Sequence, residues 1–403
     1  MPPRDERAPS RDGPLGPVDT GRRTPLPSPA GLLARVAVAA LGFLAVNLAL
    51  RGVASPDGGG LVGAKRELLA EVGGEVDTLF LGSSHVYRGF DPATFDAAMA
   101  EAGLPTSSFN HGVQLPNLVE LRYLTERALE LADGGLRHVL VEPLAFLPQI
   151  DPANEFTPRA MYWHDLESTR LAVERTFAHG EGLRYVEDGG RSTSLPTLFA
   201  SLLPADVRVA SDHVQHALLK GLLHGRWKDI ARGAAGRAHG QTARLTAGRG
   251  YLPLEREEER LLAGGATRNP YTRRRERFLE ESDTWEERVA ALGTEDVVFG
   301  DEEWINAELS RFDDLEILRA IVDSIRAAGA EPYLVITPDI SCHREFEESL
   351  EIELGCRVLR YNRPELYPEL YAPENRFDSG HLSAEGARVF SSLLARDVAR
   401  GLQ

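Results

Sequence analysis

Two short segments, far apart in the chain, carry residue types able to perform acyl transfer. The first is Gly82-Ser83-Ser84-His85, which ends the apolar run VDTLFLG at Val76–Gly82. A buried strand turning sharply into a helix here would expose a serine hydroxyl at the carboxyl edge of a sheet, where α/β sites lie. It would also point backbone N–H groups at whatever the serine attacks. The plainer reading of these small polar residues is a helix cap. The second segment is Asp378-Ser379-Gly380-His381-Leu382, just ahead of a closing helix. With two residues between them, the aspartate can bend back to the Nδ1–H of the histidine. Nε2 is then left to take a proton from a serine on another strand. A turn capped by the aspartate also suits DSG.

Positioning such residues requires a sheet, and the hydrophobic pattern supplies one. Short, largely apolar runs predict strands at Val76–Gly82, Arg137–Glu142, Pro332–Thr337 and Cys356–Tyr361, the last of the series, and a second short strand is expected around Ser107–His111. Between them, Asp91-Pro92 marks a helix start that continues through Phe95 and Met99 to Gly103. Leu118, Leu121, Leu124, Ala128, Leu129 and Ala132 share one helical face over Asn117–Gly134, and Leu315, Leu318, Ile321, Val322 and Ile325 share another ending near Gly329. Ser383–Leu402 is the closing helix. This alternation predicts an α/β fold, a parallel sheet with helices on both faces. It breaks over 151–304, a polar stretch whose EREEER and RRRERF runs read as solvated helix faces, and a largely helical insertion or cap is expected there.

The remaining features bound the function. The net charge of −16 argues against a nucleic-acid partner, which needs a basic surface to release counterions. The two cysteines, Cys342 and Cys356, are too few for a disulfide scaffold or a four-ligand zinc site, and read either as a pair or as two unpaired thiols. Residues 1–29, rich in Pro, Arg, Asp and Ser, have the composition of a disordered tail. Ala30–Leu50 is an apolar run interrupted only by Arg35 and long enough to span a bilayer. Arg4, Arg7, Arg11, Arg22 and Arg23 before it favour a cytoplasmic N-terminus and an extracytoplasmic body. A signal peptide cleaved near Val53-Ala54-Ser55 and a buried soluble helix are the alternatives, and Pro56 disfavours cleavage. Residues 51–75 then read as a linker. In Tyr162-Trp163-His164-Asp165, aromatics beside a polar pair suit a wall facing carbohydrate or an interface between insertion and core, and Arg159 nearby suits an anionic sugar. His213, His216 and His224 carry no metal-ligand spacing and read as a solvated helix.

Taken together, a serine at the end of the first strand and Asp-x-x-His before the last helix resemble the SGNH (GDSL-like) hydrolase superfamily, over roughly residues 75–150 and 305–403. The resemblance implies a three-layer, flavodoxin-like α/β/α domain with Ser84 as nucleophile and His381 and Asp378 completing the triad. Gly112, in FNHGVQLPN, would join the Ser84 N–H in the oxyanion hole. No metal or organic cofactor is implied. The sequence departs from the family at Ser83, where an aspartate is usual, and at Val141-Glu142-Pro143-Leu144, which replaces Gly-x-Asn-Asp and leaves the third oxyanion donor unassigned. A GSS-type first block behind an N-terminal membrane helix is similar to bacterial envelope proteins of the AlgX/AlgJ and DltD kind. That likeness implies acyl esters of cell-surface polysaccharide as substrates and a membrane-bound acyltransferase as a partner. A non-catalytic accessory protein and a lipid-cleaving esterase are the competing expectations.

Overall fold

The computed structural model describes residues 60–132, 134–143, 150, 157–179, 204–219, 243–266, 269–292, 313–339 and 344–402, together with the helical positions 33, 37–39, 41–43, 45 and 46. The chain divides into two compact units, Met1–Val46 and Asn47–Gln403. In the first, most of the expected span over Ala30–Leu50 lies outside the described residues. Leu33, Val38, Leu41, Phe43 and Val46 are helical and exposed. Among the described residues no helix is long and apolar enough to cross a membrane.

The second unit is built on a five-stranded parallel sheet. Its strands are β1 (Thr78–Leu81), β2 (Ser108–Asn110), β3 (His138–Val141), β4 (Glu331–Ile336) and β5 (Arg357–Arg360), in the order β2-β1-β3-β4-β5. Thr78 pairs with Ser108 on one side and with His138 on the other, so the order reverses across β1. At such a switch point the connections diverge and leave a crevice at the strands' carboxyl ends.

The helices are α1 (Gly60–Val72), α2 (Ser84–Gly89), α3 (Pro92–Glu101), α4 (Leu118–Leu131), α5 (Pro158–Trp163), α6 (Leu166–His179), α7 (Ala205–Leu219), α8 (Leu254–Ala263), α9 (Pro270–Glu280), α10 (Ser282–Leu292), α11 (Asp313–Ala327), α12 (Arg344–Leu354) and α13 (Ala384–Leu402). Because successive strand residues point to opposite faces, the sheet feeds two separate cores. Leu79, Leu81, Val139, Val141 and Leu334 pack with α1, α4 and α11 on one face. Phe80, Leu140, Tyr333 and Val335 pack with α3 and α13 on the other. Both faces are thus covered, which explains why β1, β3 and β4 read as largely continuous apolar runs rather than alternating ones.

Two expectations need correction, and a third point left open is answered in part. The stretch 51–75 contains α1, whose Val62, Leu68 and Leu69 are buried in the first core. Its brief apolar spacing is masked by the charged residues Lys65, Arg66, Glu67 and Glu71. The β-structure does not end at Cys356–Tyr361: β6 (Arg376–Asp378) and β7 (His381–Leu382) form a small antiparallel pair, too short to show a period. Cys356 is a free, buried thiol whose pKa is pushed up to about 11, foremost by burial, and Cys342 lies outside the described residues. Within 151–304 every labelled element is a helix.

Phe80, fully buried with its ring 5.4 Å from that of Phe90 and 5.1 Å from that of Phe95, joins β1 to the second core. Phe80→Ala is expected to lower unfolding free energy in urea by about 3–5 kcal/mol. A loss below about 1 kcal/mol would contradict this packing.

Candidate active site

The site begins at the β1–α2 turn. Ser83 is the N-cap of α2: its Oγ accepts the His85 N–H at 3.0 Å, and its own N–H donates to Glu142 Oε2 at 2.7 Å. Glu142 follows β3 and is buried, and its other oxygen accepts from His85 Nδ1 at 2.8 Å and from Thr337 Oγ1 at 3.3 Å. Gly82 permits this approach. A Cβ there would come within 2.7 Å of both Cβ and Oε2 of Glu142 and 2.5 Å of Val86, and its φ of +155° lies where side chains are rarely tolerated. The turn therefore starts α2 at Ser84, with the serine hydroxyl at the carboxyl edge of the sheet. Among the described residues the Ser84 N–H has no acceptor, as befits the first position of a helix.

The structure brings Ser84, His381 and Asp378 into one hydrogen-bonded series. Ser84 Oγ–H donates to His381 Nε2 at 3.0 Å, and His381 Nδ1–H donates to Asp378 Oδ1 at 2.9 Å. The β6–β7 pair delivers the last two, with Asp378 directly opposite His381 in the ladder. Gly380 N–H also donates to Asp378 Oδ1, at 2.9 Å. Arg376 anchors the hairpin from below, its Nη1 donating to Pro338 O at 2.8 Å and its Nη2 to Ser379 O at 2.6 Å. On the helix side, α13 packs against α2 and α3 and fixes the hairpin against the nucleophile turn.

Charge tunes the series. Burial alone would raise the Asp378 pKa, but the hydrogen bond and charge of His381 and the charge of Arg274 hold it at about 2. His381 lies below the ordinary histidine value. Burial is the main cause, opposed by Asp378 and reinforced by the charges of His85 and Arg274. A neutral imidazole facing a serine hydroxyl is the form able to accept a proton. Arg274 comes from α9, in the region expected as an insertion; it ion-pairs with Asp378 Oδ2 and lies 3.4 Å from His381 Nδ1. His85, Arg88, Thr337, Pro338, Arg376, Gly380, His381 and Leu382 line a small cleft beside the series.

Gly112 sits where β2 ends, but its N–H donates to Asn110 Oδ1 at 3.0 Å. Asn110 is itself fully engaged, its Nδ2 donating to Val86 O at 2.7 Å and to Phe90 O at 2.8 Å. Lys65, buried in α1, straps the same loop by donating to Asn110 O at 3.0 Å and to Gly112 O at 2.5 Å. The oxyanion role expected of the Gly112 amide would therefore require it to leave Asn110. Glycine is required here for a packing reason: a Cβ would lie 2.5 Å from the Tyr87 nitrogen and 2.8 Å from Val86.

The three residues expected to bind substrate, Arg159, Trp163 and His164, are not among those lining the cleft beside the triad. Arg159 makes a bidentate pair with Glu120, at 2.6 and 3.1 Å. Trp163 and His164 are buried where α5 meets α7, their rings 3.6 Å apart, and His164 Nε2 lies 3.0 Å from His213 Nδ1. His213 and His216 are likewise buried, not solvated, because α7 turns that face onto α5 and α6. His224 lies outside the described residues. Among the described residues no three ligand-type side chains are grouped to hold a metal ion. Sequence reasoning missed Arg274, hidden in a basic run, and the pairing of His85 with Glu142, which only the sheet order makes visible.

No model of a known protein family matches the chain, and no curated protein does.

Removing the Arg274 charge takes away one of the influences that lower His381. Arg274→Ala is expected to raise the His381 pKa in an NMR titration of the imidazole, and an unchanged or lower value would contradict the geometry.

Proposed function

We propose that the chain is an extracytoplasmic serine esterase or O-acyltransferase of the SGNH type, with a flavodoxin-like α/β/α domain and Ser84, His381 and Asp378 as its triad. The observation that carries the reading is the unbroken series from the Ser84 hydroxyl to the Asp378 carboxylate. Its members lie at the carboxyl end of a parallel sheet beside the β1 switch point. On this reading Ser84 Oγ attacks an ester carbonyl carbon while its proton passes to His381 Nε2. Asp378 stabilises the imidazolium and stays ionised. Collapse of the tetrahedral adduct breaks the bond to the leaving alcohol, which takes the proton from His381. Water or a sugar hydroxyl then gives its proton to His381 and attacks the acyl-serine; the acyl–Oγ bond breaks, Ser84 Oγ takes the proton back from His381, and acid or a new ester is released. The Ser84 N–H supplies one hydrogen bond to the oxyanion.

The apolar run Ala30–Leu50 and the arginines before it support tethering to the cytoplasmic membrane with the domain outside. The likeness to envelope proteins supports cell-surface polysaccharide as the acyl donor or acceptor, and a membrane-bound acyltransferase as partner. The engaged Gly112 amide favours a second reading, an accessory protein of the same fold that binds glycan without turning it over.

The full chain is expected to hydrolyse p-nitrophenyl acetate, with kcat reduced by about 10³-fold or more in Ser84→Ala. Turnover should fall on the acid side as His381 is protonated, at a pH below the ordinary histidine value. Equal rates in the folded Ser84→Ala chain would favour the accessory reading.

A further inference from the structure

The residue after the serine is held as tightly as the triad. With His85 Nδ1 committed to Glu142, Nε2 is the remaining polar atom of the ring. The side chain is about a quarter exposed (24%), lines the same cleft as His381, and places its ring centroid 5.6 Å from that of His381. Glu142 occupies the end of β3, where the resemblance would place an asparagine that donates to the oxyanion. A carboxylate cannot donate, but this one holds a residue that can. The site has need of such a donor, because the Gly112 N–H is engaged by Asn110.

We propose that His85, oriented by Glu142, is the charged donor that receives the carbonyl oxygen of the ester as attack by Ser84 makes it negative. This rests on the reading of Ser84 as nucleophile. The carbonyl π electrons move onto the oxygen as the Oγ–carbon bond forms, and return when the leaving alcohol departs. His85 Nε2–H hydrogen-bonds that oxygen throughout and transfers no proton.

The surroundings keep the ring cationic. Burial and the Arg376 charge disfavour protonation, but Glu142, through charge and hydrogen bond, and Asp339 outweigh them and raise the pKa to about 9. His381 stands across the cleft, and Thr337 Oγ1 lies 3.4 Å from Nδ1. Above that pH the neutral ring keeps its remaining proton on Nδ1 for Glu142 and turns a lone pair toward the oxygen. Donation then fails.

The test compares full-length wild type, His85→Ala and His85→Gln with p-nitrophenyl acetate and with an alkyl acetate. His85→Ala is expected to lower kcat by about 10²–10³-fold for both esters, with KM little changed. His85→Gln, which keeps an uncharged N–H, is expected to recover part of that loss and to lose the alkaline fall near pH 9 that the wild type shows. If the alanine variant does not fold, the glutamine variant's pH profile decides. Three results would overturn the proposal: Ser84-dependent turnover undiminished in His85→Ala, a loss confined to the alkyl ester, or an alkaline fall that persists in His85→Gln. Wild-type turnover that does not depend on Ser84 would instead remove the nucleophile reading, and this proposal with it.

Discussion

A carboxylate taken out of water must find donors within the protein, and the buried carboxylate of Glu142 finds three: the Ser83 N–H, the His85 ring and the Thr337 hydroxyl. These come from the end of β1, the start of α2 and the end of β4, so one side chain after β3 ties three neighbours of the sheet edge together. Meeting that demand fixes the β1–α2 turn. Gly82 must lack a side chain, Ser83 must cap the helix, and Ser84 must be its first residue. The serine's position is thus set by the hydrogen-bonding needs of a group that does not touch it.

The second constraint is that the triad joins residues 297 positions apart in the chain. Local geometry places Asp378 opposite His381 across the β6–β7 ladder, and tertiary packing, of α13 on α2 and α3 and of α2 on β7, brings that hairpin to the serine. The second core, with Phe80, Phe90 and Phe390 in contact, is therefore part of the site's alignment. Charge is distributed in alternation: each histidine has its own carboxylate, and Arg274 reaches Asp378 from α9. The two histidines are driven in opposite directions. His381 is kept neutral and His85 cationic.

How much of this was legible in the sequence follows from how local each feature is. Of the five parallel strands, β1, β3 and β4 were legible as largely apolar runs bounded by Gly or Pro, while β2, reading Ser-Phe-Asn, and β5, with arginine at both ends, showed mainly through the breakers that flank them. Asp91-Pro92 announced α3 through capping chemistry. The geometry of Asp378 and His381 was legible from a two-residue spacing. Helix α1 was not, because Lys65 is a charged residue buried among backbone carbonyls, which no periodicity encodes. The aromatic-polar stretch at Trp163 and His164 looked like a binding wall because burial by α7 depends on residues forty and more positions away. Gly112 was expected to offer its N–H to the oxyanion, but the sequence did not show that this amide donates to Asn110. Glu142 read as a missing asparagine. Its link to His85 emerges only once β1 and β3 are neighbours.

The central claim is that Ser84 is an activated nucleophile, and a fluorophosphonate probe tests it most directly, since it bonds covalently to a serine whose proton a neighbouring base removes. With the full-length chain, the account predicts a single adduct mapped by mass spectrometry to Ser84, formed slowly or not at all in His381→Ala. A folded chain that takes no label, or that takes it at Ser84 equally fast without His381, would contradict it.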